Sequence, residues 1–185
     1  MRYWIDTEFI EDGHTIDLIS IGIVAQDGRE LYAENGECDY SRANEWVRRK
    51  VLPYVGQGPN PEASRATRAG LAQLVRDFCD PDQYGKPEFW GYHSGYDWVV
   101  LCQLFGSMKS LPRGWPKYCR DLRQWRDELG VIKLPSQRIK GEHHALDDAR
   151  WARHAWEFLA DLRISRGWGK TRRRTLSPTP QPPTP

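Results

Sequence analysis

The chain has no pair of cysteines at metal-binding spacing. Its four cysteines, Cys38, Cys79, Cys102 and Cys119, are scattered along 185 residues. Neither a C-x-x-C zinc site nor a disulfide framework is therefore indicated, and Cys79 and Cys102 fall in apolar helical patterns that suit buried thiols. No apolar run approaches the length of a membrane span, and no segment reads as a secretory signal. The expectation is a cytoplasmic protein with no membrane partner. A basic body, the electrostatic mark of many nucleic-acid binders, is missing too. The formal charge is only +2, and six basic residues with no acidic one (Arg163, Arg166, Lys170, Arg172, Arg173, Arg174) lie from Arg163 onward. Subtracting those six leaves −4 for everything before them, so a polyanion has to be held by local patches or by metal ions.

What the chain does have is a core. Hydrophobic residues make up 39% and aromatic ones 12%, with nine tryptophans, enough for one globular domain. Residues 2–8 read as a strand. Two more, 15–26 and 29–35, flank Asp27-Gly28, a hairpin turn signal. Helices are expected at 41–55 up to Pro53, at 62–79, at 95–108 and at 143–163, with a short strand at 87–93. Residues 117–122 suit a strand feeding a helix that runs to about Leu129. Three antiparallel strands followed by alternating strands and helices imply an α/β fold: a mixed sheet with helices on both faces, in the order of the RNase H-like fold. The domain is expected over 1–165, followed by a tail at 166–185 that is basic and then proline-rich, and disordered by composition.

Four carboxylates stand out. Asp6 and Glu8 alternate along the first strand, so they share a face with Cα atoms about 7 Å apart. On the helix at 95–108, Val100, Leu101, Leu104, Phe105 and Met108 all lie within about 80° of Asp97. On the last helix, Ala145, Ala152, Ala155, Trp156 and Leu159 lie within about 80° of Asp148, while Asp147 falls at the margin. An unpaired carboxylate facing a core is costly. Asp97 has an alternative role as a cap of its own helix, which suits Asp148 less well. If the four gather in one place, their hard oxygens suit Mg²⁺ or Mn²⁺ rather than zinc.

With those residues in view, the chain resembles the DEDDh branch of 3′→5′ exonucleases, the DnaQ-like and RNase T-like superfamily. "DTE" at 6–8, "YHSGYD" at 92–97 and "HHALDD" at 143–148 match its three motifs in order. The short chain, "DTEF" and "ISIGIV" look most like the small polyadenylate-specific 3′-exoribonuclease AS family. The second motif departs from the usual H-N-x-x-F-D form, with His93-Ser94 and Tyr96 in its place.

The resemblance implies two Mg²⁺ or Mn²⁺ ions held by Asp6, Glu8, Asp97 and Asp148, with His143 as the general base. His144 competes with His143 at helical spacing from Asp148. Phe9, His93, Tyr96 and Trp98 are the expected substrate contacts, although Phe9, Tyr96 and Trp98 also suit the core. The implied activity is 3′→5′ hydrolysis of single-stranded RNA, including A-rich 3′ ends, to nucleoside 5′-monophosphates. The alternatives are a DNA exonuclease of proofreading or repair type, and a non-catalytic nucleic-acid-binding scaffold. Similarity further implies a homodimer.

Overall fold

The computed structural model describes residues 1–59, 65–137 and 143–167. Strands β1 (Arg2–Glu11), β2 (Ile16–Ala25) and β3 (Glu30–Asn35) come first, then helix α1 (Glu45–Lys50), β4 (Arg65–Ala66), α2 (Arg68–Phe78), α3 (Pro81–Tyr84), β5 (Glu88–Gly91), α4 (Gly95–Leu104), β6 (Arg120–Asp121), α5 (Leu122–Glu128) and the long α6 (Ala145–Ser165). The six strands form one sheet in the order β4-β3-β2-β1-β5-β6. The pairs β1–β2 and β2–β3 are antiparallel, and β1–β5, β3–β4 and β5–β6 are parallel. The mixed sheet with three antiparallel strands first is thus the one the sequence implies.

Both faces of β1 are covered, which explains its near-continuous apolar start. Tyr3 and Ile5 pack with Leu71 and Val75 of α2 and Leu101 of α4 on one face. Trp4 packs on the other with Trp90, Leu122 of α5 and Ala149, Ala152 and Leu159 of α6. Further along this second face, Ile10 and Ile19 hold Val47 of α1 and the neighbouring Val51. Among the described residues no helix is long and apolar enough to cross a membrane.

Several boundaries differ from the sequence expectation. Helix 41–55 shrinks to α1, because the Asn44 side chain takes the N–H of Val47 and sets the true start. The chain tightens into a 3₁₀ turn at Leu52–Tyr54, where Pro53 lacks an N–H and disfavours the α conformation before it. Of the helix expected at 62–79, residues 62–64 lie outside the described residues, Arg65–Ala66 join the sheet, and Thr67 caps α2. Helix 95–108 ends at Leu104, since Gly106 turns the chain with φ +89°. From Trp168 the expected tail lies outside the described residues.

Candidate active site

The site is built where β5 stops. The parallel pairing of β1 with β5 runs only from Arg2 to Trp4, so beyond Trp4 that edge of β1 lacks a partner strand. Asp97, in the first turn of α4, takes over. Its Oδ1 accepts from the backbone N–H of Thr7 at 2.9 Å and from the Thr7 hydroxyl at 2.6 Å. Asp97 therefore does more than cap its own helix. It closes a strand edge with a side chain and is itself only 6% exposed.

Asp6 and Glu8 flank Thr7 and point to the opposite face, toward α6. Helix α6 reaches this level because Gly22, directly opposite Asp6 in β2, has no side chain. A Cβ there would stand 2.3 Å from the carbonyl oxygen of Ala145. The close approach brings Asp148, in the first turn of α6, beside the strand. Its Oδ2 accepts from the backbone N–H of His143 at 3.0 Å, and the Gln137 amide donates to Oδ1. His143 adopts φ +75°, a conformation that costs a side-chain-bearing residue on the order of 1 kcal/mol. Glu8, His143 and Asp148 offer ligand atoms all within 4.8 Å of one another.

Electrostatics tie the four carboxylates together. Burial, and then repulsion from Asp97, Asp148 and Glu8, hold the Asp6 carboxyl well above the usual carboxylate range. Burial and the charges of Asp148 and Asp97 push Glu8 up to about 8. Burial lifts Asp97 to about 6 against the lowering effect of the two Thr7 donors. Burial also raises Asp148, although Gln137 and His143 pull it back. Four hard oxygen donors, all raised by burial and two of them, Asp6 and Glu8, also by their neighbours' charges, form a sink for positive charge in a partly dry site, and this donor set fits Mg²⁺ or Mn²⁺.

The remaining expected residues separate clearly. His144 turns away from the carboxylates and stacks on Tyr32 at 4.5 Å in the core, which leaves His143 as the histidine at the site. Asp147 is held from outside by Arg150 at 2.7 Å, and Arg150 also grips Glu30 at 2.6 Å. Phe9 and the exposed Tyr96 stack on each other at 5.7 Å. His93 is exposed with its ring against Tyr92. Trp98 corrects an expectation: it is only 9% exposed and packs on Phe89 in the core, so it cannot stack on a base.

Sequence reasoning missed Thr7, Gln137 and Trp46. The Trp46 ring stands edge-on to His143 at 4.8 Å. Thr7 is flagged only by lying between two carboxylates, and nothing in the sequence ties 46 or 137 to 143. A cleft of about 810 Å³ among Trp90, Trp125 and Trp156 contains none of the four carboxylates. Chemistry, not size, locates the site.

A mixed sheet that gathers four carboxylates and a histidine beside one strand defines an RNase H-like nuclease of the DEDDh class. Solved structures share the fold. The RNase domain of the yeast Pop2 protein superposes with a TM-score of 0.51 at 15% identity, over 88% of this chain and 78% of that one. The zinc-bound Escherichia coli ExoI–ssDNA complex gives 0.53 at 14%, over 90% and 41%. The chain belongs to the 3′-5′ exoribonuclease Rv2179c-like domain family, whose model matches residues 1–160. Its relatives include the 3′-5′ exoribonuclease Rv2179c of Mycobacterium tuberculosis strain H37Rv, 47% identical over 152 residues, which are 81% of this chain and 88% of the relative.

Proposed function

We propose that the protein removes nucleotides one at a time from the 3′ end of single-stranded RNA and releases nucleoside 5′-monophosphates. The observation that carries this reading is the convergence of Asp6, Glu8, Asp97 and Asp148, each raised in pKa by burial, and Asp6 and Glu8 also by the charges of the others. Membership of an exoribonuclease family supports the choice of RNA.

Asp6, Glu8, Asp97 and Asp148 would hold two divalent cations. Such ions supply Lewis-acid activation of water and neutralise charge on the phosphate. The protein's own groups do the rest. Thr7 fixes one oxygen of Asp97, and the His143 N–H fixes one oxygen of Asp148, so the carboxylates are oriented before substrate arrives. His143 takes a proton from the attacking water onto its ring. The water oxygen bonds to phosphorus as the 3′ oxygen of the preceding nucleotide leaves and takes a proton from solvent. An imidazole suits this task at neutral pH. The Phe9–Tyr96 pair offers an exposed aromatic surface beside Glu8 and Asp97 for an unpaired base.

Matched RNA and DNA oligomers, labelled at the 3′ or the 5′ end and incubated with Mn²⁺, test the reading. A descending ladder from 5′-labelled RNA, with mononucleotides from the 3′ label, is expected. Equal or faster degradation of DNA favours the DNA exonuclease, and intact oligomers favour the scaffold. A-rich against mixed sequence then reads the base preference.

A further inference from the structure

We propose that Trp46 is a positioning residue that clamps the His143 ring over the carboxylates; this rests on the reading of His143 as the base. The backbone of His143 is well fixed, because its N–H bonds Asp148. Its ring is not. Among the described residues no hydrogen bond reaches either ring nitrogen, and the one aromatic contact it makes is with Trp46, at 4.8 Å between centroids and 73° between planes. An edge-to-face contact of this kind is directional as well as attractive.

Trp46 is suited to the task by where its helix is anchored. The next residue, Val47, is buried with Val51 against Ile10 of β1 and Ile19 of β2. Strand β1 is the one that carries Asp6 and Glu8. The position of Trp46 is therefore registered to the strand carboxylates, while His143 is registered to Asp148 and α6. Their contact joins the two halves of the site. Trp46 is 48% exposed on a short helix whose other residues, Val47 apart, are charged: Glu45, Arg48, Arg49 and Lys50. Removing the clamp frees rotation about the His143 side chain. Misplacing a reacting group by about an ångström costs rate without weakening substrate binding.

The test is a double-mutant cycle in the full chain, read by single-turnover rates at saturating Mn²⁺ with KM measured alongside. Trp46→Ala is expected to slow the chemical step about tenfold with KM nearly unchanged, and Trp46→Phe, which keeps a ring in place, to recover most of it. In a His143→Gln background, Trp46→Ala should change nothing further, because there is no longer a base to position. An effect of Trp46→Ala confined to KM, or one equally large in both backgrounds, overturns the clamp, since the indole would then touch substrate instead. If Trp46→Ala matches the parent while His143→Gln is dead, the clamp fails and the base stands. A fully active His143→Gln removes the base and the clamp together. Far-UV spectra and melting curves of the Ala and Phe variants separate these outcomes from misfolding.

Discussion

Gly22 and Ala145 meet backbone to backbone: a Cβ on residue 22 would stand 2.3 Å from the carbonyl oxygen of Ala145 and 2.4 Å from the N of Leu146. Both obstructing atoms are main chain, so no rotamer change relieves the clash. Gly22→Ala should push the start of α6, and Asp148 with it, off the strand. We expect a loss of about 1–3 kcal/mol in stability, the usual range for overpacking, and a fall in kcat of at least tenfold. Urea denaturation and single-turnover rates check both. A variant as stable and as active as the parent would show that α6 can slide along the sheet freely.

Asp147 and Asp148 are neighbours in sequence with unlike surroundings. Asp148→Asn removes a charged oxygen from the cation site and should lower kcat by ~10²-fold or more. In chelator it should leave the fold as stable or more so, since one repelling charge has gone. Asp147→Asn breaks the link to Arg150. It should cost about 1 kcal/mol or less and leave kcat within a few-fold. A dead Asp147→Asn beside an active Asp148→Asn would reverse the assignment.

Cation binding should stabilise the fold more at pH 8 than at pH 5.5. Glu8 and Asp97 titrate near 8 and 6 in the folded chain, against about 4 when unfolded. Between those values the folded state holds more protons than the unfolded one, so metal-free stability falls as pH rises from about 4 to 8. At pH 5.5 protons already relieve the repulsion and compete with the cation. At pH 8 Asp97 has lost its proton and Glu8 is about half ionised, so the cation meets less competition and relieves the repulsion instead. Melting curves with Mn²⁺ and with chelator at the two values test this. A larger Mn²⁺-induced rise at pH 5.5 contradicts it.

Ending the chain after Gly167 removes Lys170, Arg172, Arg173 and Arg174. With no acidic residue among residues 168–185 to offset them, these four are expected to add sequence-independent phosphate contacts. The truncation should raise KM on long RNA and flatten its dependence on salt, with kcat nearly kept. A collapse of kcat in a folded truncation would assign the tail to the chemistry.

Much of the site was legible because carboxylates in apolar positions are costly and periodicity reveals them. The helical register that put Asp148 inward and Asp147 at the margin is the register the structure has. Strand alternation placed Asp6 and Glu8 on one face. The rest depended on distances that one-dimensional patterns do not contain. Gly22 reads as an ordinary strand glycine until a helix backbone is seen above it. Trp46 and His143 are nearly a hundred residues apart. Trp98 stands next to Asp97 in sequence yet points into the core, because a helix turns about 100° between neighbours. The sequence pattern suits Asp97 to a metal ligand or a helix cap, and its bond to a strand N–H belongs to neither pattern.

Because β5 ends at Gly91, β1 has an unpaired edge at the level of the site, and such an edge is where another chain can add a strand and begin aggregation. The side chain of Asp97 plugs that edge by occupying the Thr7 N–H. One carboxylate thus closes a strand edge as well as holding charge in the candidate site. Asp97→Ala, a natural choice for an inactive variant under the proposed function, would open the edge, whereas Asp148→Asn leaves it sealed. If both variants lose activity as the proposed function expects, the Asp148 variant is the one to keep at high concentration.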